Sequence, residues 1–142
     1  QAKALLQLKK SFFRYSTTRL SSWRNGTDCC LWEGIDCDAS SGHVTILDIN
    51  NRGLFSYGLD PAVFNLTSLR RLDLSMNDFG GYDIPATGFE SFGTLVANLS
   101  NLRELYLDMV DLSLNADEWA TSLATYVPRL QQLNDLEKLE NG

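Results

Sequence analysis

His43 is the only imidazole in the chain, so general-base chemistry or activation of a nucleophile would have to pass through it. No Ser or Cys nucleophile stands at motif spacing from it, and it falls at the start of a predicted strand. A structural or surface role is therefore expected. Asp36, Asp38, Asp73 and Asp108 are the carboxylates that acid–base work would draw on. None has a recognised catalytic setting, and most carboxylates are simply solvated surface. Gly80-Gly81 lacks the lysine and the strand–helix context of a phosphate-binding loop. These residues assign no catalytic site and no cofactor site.

Cysteine offers a different chemistry. The chain has 3, at positions 29, 30 and 37. With one histidine and no second cysteine pair, zinc-site spacing is absent and no metal site is expected. Adjacent cysteines rarely bond to each other because their side chains diverge. The favoured bridge is Cys30–Cys37, which leaves Cys29 without a partner and points to an oxidising compartment. Three N-glycosylation sequons point the same way: Asn25-Gly-Thr27, Asn65-Leu-Thr67 and Asn98-Leu-Ser100.

Bulk properties exclude several partner classes. The 142 residues carry a net charge of −6, against what a nucleic-acid backbone or an anionic membrane rewards. No apolar run approaches the roughly 20 residues of a membrane span. No basic-then-apolar leader opens the sequence, which is the expectation for a secreted chain whose signal has been removed.

The sequons at Asn65 and Asn98 are followed by nearly the same residues, and this exposes an internal repeat. Leu66-Thr-Ser-Leu69-Arg-Arg-Leu72-Asp-Leu74-Ser-Met-Asn77-Asp-Phe79 aligns with Leu99-Ser-Asn-Leu102-Arg-Glu-Leu105-Tyr-Leu107-Asp-Met-Val110-Asp-Leu112. A weaker copy starts at Val44 and places Arg52 where the first of these has Asn77. In L-x-L both leucines share one face of a short strand and point inward, and the residues between them face outward. The asparagine turns the chain out of the strand and satisfies backbone groups that no ladder reaches. Arg52 and Val110 cannot both donate and accept in this way, so looser turns are expected there. One such repeat cannot bury its apolar face, and only stacking does so.

The first 43 residues read as a cap on the stack. Ala4, Leu5, Leu8, Phe12 and Tyr15 recur at helical spacing, with Lys9 and Lys10 on the other side. The helix is expected to fade near Tyr15, before Ser16-Thr17-Thr18. Trp32–Cys37 and His43–Asp48 are expected to pair as a hairpin through residues 38–42. Trp23, Trp32 and Ile35 are available to cover the open edge of the first repeat, and packing is the expected role of these tryptophans.

Ala4-Leu5-Leu6-Gln7-Leu8-Lys9, Ser22-Trp23, the run from Asp28-Cys29-Cys30 through Cys37-Asp38, and Gly42-His43-Val44-Thr45 closely resemble the N-terminal cap of plant leucine-rich-repeat receptor-like proteins and kinases. Ile84-Pro85 resembles the end of a plant-type repeat, although Asp83 replaces the usual spacer. In that family a further upstream cysteine usually pairs with the first of the double cysteine, which would account for Cys29. The resemblance implies an α/β fold: a right-handed leucine-rich-repeat solenoid with a short parallel sheet and an N-terminal helix-hairpin cap. The expected divisions are a cap over 1–43, about three repeats over 44–129, and a divergent tail over 130–142. Leu130, Leu133, Leu136 and Leu139 in that tail suit a capping helix better than a strand. Self-association through this C-terminal end is a further expectation.

The functional expectation is a non-enzymatic recognition module using the outward strand residues Thr45, Asp48, Asn50, Arg71, Asp73, Ser75, Glu104, Tyr106 and Asp108. The resemblance implies a peptide, protein or oligosaccharide ligand, a co-receptor, and defence or developmental signalling. It implies a location in the apoplast or on the outer face of the plasma membrane. The alternatives are a secreted inhibitor of cell-wall-degrading enzymes and a stand-alone short apoplastic protein with the same repeats.

Overall fold

A computed structural model describes residues 1–56, 59–79, 97–106 and 132–134, the side chains of Tyr15, Ser16 and 132–134 excepted. Helix α1 spans Ala2–Ser11 and buries Leu5 and Leu8 completely. Lys9 and Lys10 sit in its last turn, where cations complement the helix dipole. Lys9 also donates to the Trp23 carbonyl at 2.9 Å. The helix stops earlier than its apolar stripe suggests. Phe12 turns extended (φ −81°, ψ 148°), and a 3-10 segment over Arg14–Leu20 takes in the polar stretch. The stop has a packing reason, because Phe12 leaves the helix to meet Phe79 of a later repeat, with ring centroids 5.9 Å apart.

Five strands form one sheet in chain order: β1 Ile35–Cys37, β2 Val44–Asp48, β3 Arg71–Asp73, β4 Glu104–Tyr106 and β5 Gln132–Asn134. β1 runs antiparallel to β2 as the expected hairpin, and β2 to β5 are mutually parallel. Leu47, Leu72, Leu105 and Leu133 stand in register across the parallel strands. Leu47, Leu72 and Leu105 are buried, as are Val44, Leu69 and Leu102 one position set earlier. This is the leucine-rich-repeat solenoid with its N-terminal cap, each repeat burying its leucines only against its neighbours.

β5 corrects the expected capping helix, because residues 132–134 extend the sheet. Leu130, Leu133, Leu136 and Leu139 satisfy a helical period, but β4 offers an unpaired edge at the phase that suits Leu133. Pairing with that edge satisfies backbone groups that a helix would leave behind. The rest of the tail, Trp119, and the self-association assigned to that end lie outside the described residues.

The cap closes the stack. Trp23 and Trp32 are buried and stacked at 5.7 Å, their indole N–H groups donating to the Glu33 carbonyl (2.9 Å) and the Thr27 hydroxyl (2.7 Å). Cys30 and Cys37 are bonded, tying the segment before β1 to the end of that strand. Cys29 is a buried free thiol. Gln1 forks onto the hairpin, donating to the Gly42 carbonyl at 3.0 Å and accepting from the Val44 N–H.

The turns differ from expectation in an informative way. The Asn77 amide donates to the carbonyls of Ile49 (2.7 Å), Leu74 (3.2 Å) and Ser75 (3.1 Å). Its oxygen accepts from the N–H groups of Arg52 (3.2 Å) and Leu54 (3.1 Å). Most of its bonds therefore hold the preceding turn, so the Arg52 turn is tied from outside instead of being left loose. The cost falls on the Arg52 side chain, whose Nε is buried without a partner. Val110 lies outside the described residues.

Candidate ligand-binding face

Alternation along the strands sets two outward rows. Ile46, Arg71 and Glu104 are aligned in one, and Asp48, Asp73 and Tyr106 in the next. Arg71 is the hub. Its guanidinium lies 3.7 Å from Asp48, 3.8 Å from Asp73 and 3.4 Å from Glu104, and 5.1 Å from the centre of the Tyr106 ring. Three carboxylates surround one cation, so the face is anionic around a fixed positive centre. The Tyr106 ring supplies a cation–π contact and a flat apolar patch.

The two aspartates repeat one turn geometry. Asp48 accepts from the Asn50 N–H, and Asp73 from the Ser75 N–H, each at 3.0 Å. Their exposure differs. The Asp48 side chain is 37% exposed and that of Asp73 only 5%. Burial raises the Asp73 carboxyl above its ordinary value, against the opposing hydrogen bonds from Ser75.

The expected face is thus brought together only in part. Asp48, Arg71, Glu104 and Tyr106 converge, and Asn50 is exposed at the adjoining turn. Asp73 and Ser75 are buried, each 4% exposed, because the rows on both sides close over the middle strand. They support the surface and do not form it. Thr45 is off the rows: its hydroxyl donates to the Asp36 carbonyl at 3.4 Å, and it sits with Arg70 and Arg103 at the start of the strands. The outward position belongs to the half-buried Ile46, which strand parity gives by counting back from the inward Leu47. Asp108 lies outside the described residues.

The other chemical candidates have ordinary places. His43 is exposed, with Nδ1 3.4 Å from the Ser68 hydroxyl. Asp28, Cys29 and Cys30 bring ligand-type atoms within 4.8 Å of one another, but the Cys30 sulfur is spent in the disulfide. Asn25, Asn65 and Asn98 are all exposed, the last two in the 3-10 segments Pro61–Asn65 and Ala97–Leu99 that precede β3 and β4.

Residues 1–38 match the family described as leucine rich repeat N-terminal domain. Receptor-like protein 35 of Arabidopsis thaliana is 40% identical over 104 residues, covering 61% of this chain and 11% of its own length. Receptor-like protein 7 of the same plant is 39% identical over 108 residues, covering 70% of this chain and 11% of its own. Among solved structures, the Arabidopsis receptor kinase HAESA, in complex with the peptide hormone IDA and the co-receptor SERK1, superimposes with a TM-score of 0.66. It is 25% identical, and the match covers 94% of this chain and 20% of that one. The chain is a leucine-rich-repeat segment similar to those of plant receptor-like proteins. It spans about a tenth of the length of these curated relatives. Among the described residues, no helix is long and apolar enough to cross a membrane.

Proposed function

We propose that the outward rows of β2, β3 and β4 are a ligand-recognition surface of a plant cell-surface receptor, facing the apoplast and serving defence or developmental signalling. The observation that carries this reading is the Arg71 hub. A guanidinium held between Asp48, Glu104 and the Tyr106 ring is a preorganised polar centre on an otherwise regular sheet. Asp48 and Glu104 favour a basic group on the ligand, and Tyr106 with Ile46 offers it apolar contact. A peptide or protein segment carrying Lys or Arg beside an aliphatic or aromatic residue fits these demands. The kinship with HAESA supports a peptide ligand and a co-receptor, since that protein is seen with both. The cap and the disulfide act as a rigid base and touch no ligand in this reading.

The test compares the wild-type chain, an Asp48→Lys/Tyr106→Ala variant and an Asn65→Gln control in the 3-10 segment that precedes β3. Each is immobilised and exposed to the peptide fraction of plant apoplastic fluid. A peptide retained by wild type and control but lost from the Asp48 variant supports the reading. Equal retention by all three, or by none, overturns it.

A further inference from the structure

A second feature lies at the N-terminal ends of β2 to β4, clear of the Arg71 hub. It is a polar depression of about 250 Å³. Arg70 and Arg103 both line it and occupy the same position in consecutive repeats. The Arg70 N–H donates to the Thr45 carbonyl and the Arg103 N–H to the Arg70 carbonyl, both at 2.8 Å. The two side chains therefore leave adjacent strands, whose usual separation is about 4.8 Å. Neither guanidinium takes part in an ion pair among the described residues, where Arg71 alone does. Asp38 also lines the depression, but its carboxylate is committed to its own turn, accepting from the Ser40 hydroxyl (2.9 Å) and the Ser41 N–H (3.1 Å). Two like charges thus stand side by side, and the single Asp38 carboxylate, which feels Arg70 through space, offsets at most one of them among the described residues.

The rest of the lining decides what kind of anion fits. Ser41, Thr45 and Ser68 bring hydroxyls, Asn101 an amide and His43 a ring nitrogen, and no aliphatic side chain lines the site. A carboxylate on a peptide would bring methylene groups with nothing to pack against. A sugar acid carries hydroxyls around its carboxylate and matches a lining of donors and acceptors throughout. The volume falls below the roughly 300–1,000 Å³ of sites for drug-sized ligands, which limits the occupant to about one ring. We propose that this depression binds an acidic monosaccharide unit of a cell-surface or wall polysaccharide, its carboxylate between Arg70 and Arg103 and its hydroxyls on Ser41, Ser68 and Asn101.

The full chain is titrated with methyl glucuronide, methyl glucoside, N-acetylglutamate and inorganic sulfate, and amide chemical shifts are followed. The glucuronide should move Ser68, Arg70, Asn101 and Arg103 with a dissociation constant on the order of 1 mM, as befits one exposed charged group. The Arg70→Gln/Arg103→Gln variant should weaken it about tenfold or more, with an unchanged thermal midpoint. Ser68→Ala should weaken the glucuronide but not sulfate. No shifts with the glucuronide, or equal binding of the neutral glucoside, would overturn the site. N-acetylglutamate or sulfate binding as tightly as the glucuronide would overturn its assignment to a sugar. Loss of this binding leaves the Arg71 surface untouched, so the two readings fail separately.

Discussion

Arg52 donates its backbone N–H to the side-chain oxygen of Asn77 at 3.2 Å, across the boundary between two consecutive repeats. The residue that breaks the repeat pattern is thus held by the residue that keeps it. Its own side chain gains little, with Nε buried and unpartnered and one Nη 3.4 Å from the Arg19 carbonyl. Arg52→Asn should remove the orphaned donor and raise stability by about 1 kcal/mol, read from the urea midpoint. A midpoint at or below that of wild type would mean that the Arg52 stem packs better than its orphaned donor costs.

Asn77→Ala should be costly. It strands two N–H groups and three carbonyls that share one buried amide. A loss of about 3 kcal/mol or more is expected by chemical denaturation. A loss under about 1 kcal/mol would show that water or a shifted turn replaces the amide.

Gly34 and Gly42 separate two costs that are often confounded. Both have positive φ, +79° and +73°. A Cβ on Gly34 would collide with the Asp48 carbonyl oxygen, whereas one on Gly42 meets open space. Gly42→Ala should cost about 1–2 kcal/mol from conformation alone. Gly34→Ala should cost at least about 2 kcal/mol more, because the hairpin must shift. Equal losses would show that the hairpin gives way freely.

Asp73 gives a pH signature. Its raised carboxyl means that the folded chain binds this proton more tightly than the unfolded one. That contribution is full below the ordinary carboxylate value and is lost as pH rises through the folded value. Asp73→Asn keeps the acceptor for the Ser75 N–H and removes the ionisation. The variant should melt higher than wild type at neutral pH, and the gap should close on acidification to about pH 3. A variant that melts lower at neutral pH would show the Arg71 attraction outweighing desolvation.

Much of the fold is legible in the sequence, since leucine spacing reports burial wherever a strand repeats. Leu47, Leu72 and Leu105 follow from L-x-L alone, as does Asn77 from its place after them. The face was harder to read. Asp48 and Asp73 look alike in sequence, and only the strands on either side decide that one is exposed and the other covered. Thr45 carries a hydroxyl and Ile46 does not, yet strand parity turns Ile46 outward. The tail leucines have a helical spacing, and only the free edge of β4 selects a strand at residues 132–134.

The antiparallel run of β1 against β2 gives the array a direction. On that side the hydrogen-bonding edge turns back on the cap through the Cys30–Cys37 bond and offers no phase for another repeat. On the other side each parallel strand presents to the next the pattern it received itself. Gene duplication within such an array can lengthen or shorten it beyond β5 while Arg71 keeps every one of its partners. The length of the array and the Arg71 cluster are therefore inherited separately, and a lineage can change the span of the solenoid without altering the residues near its base.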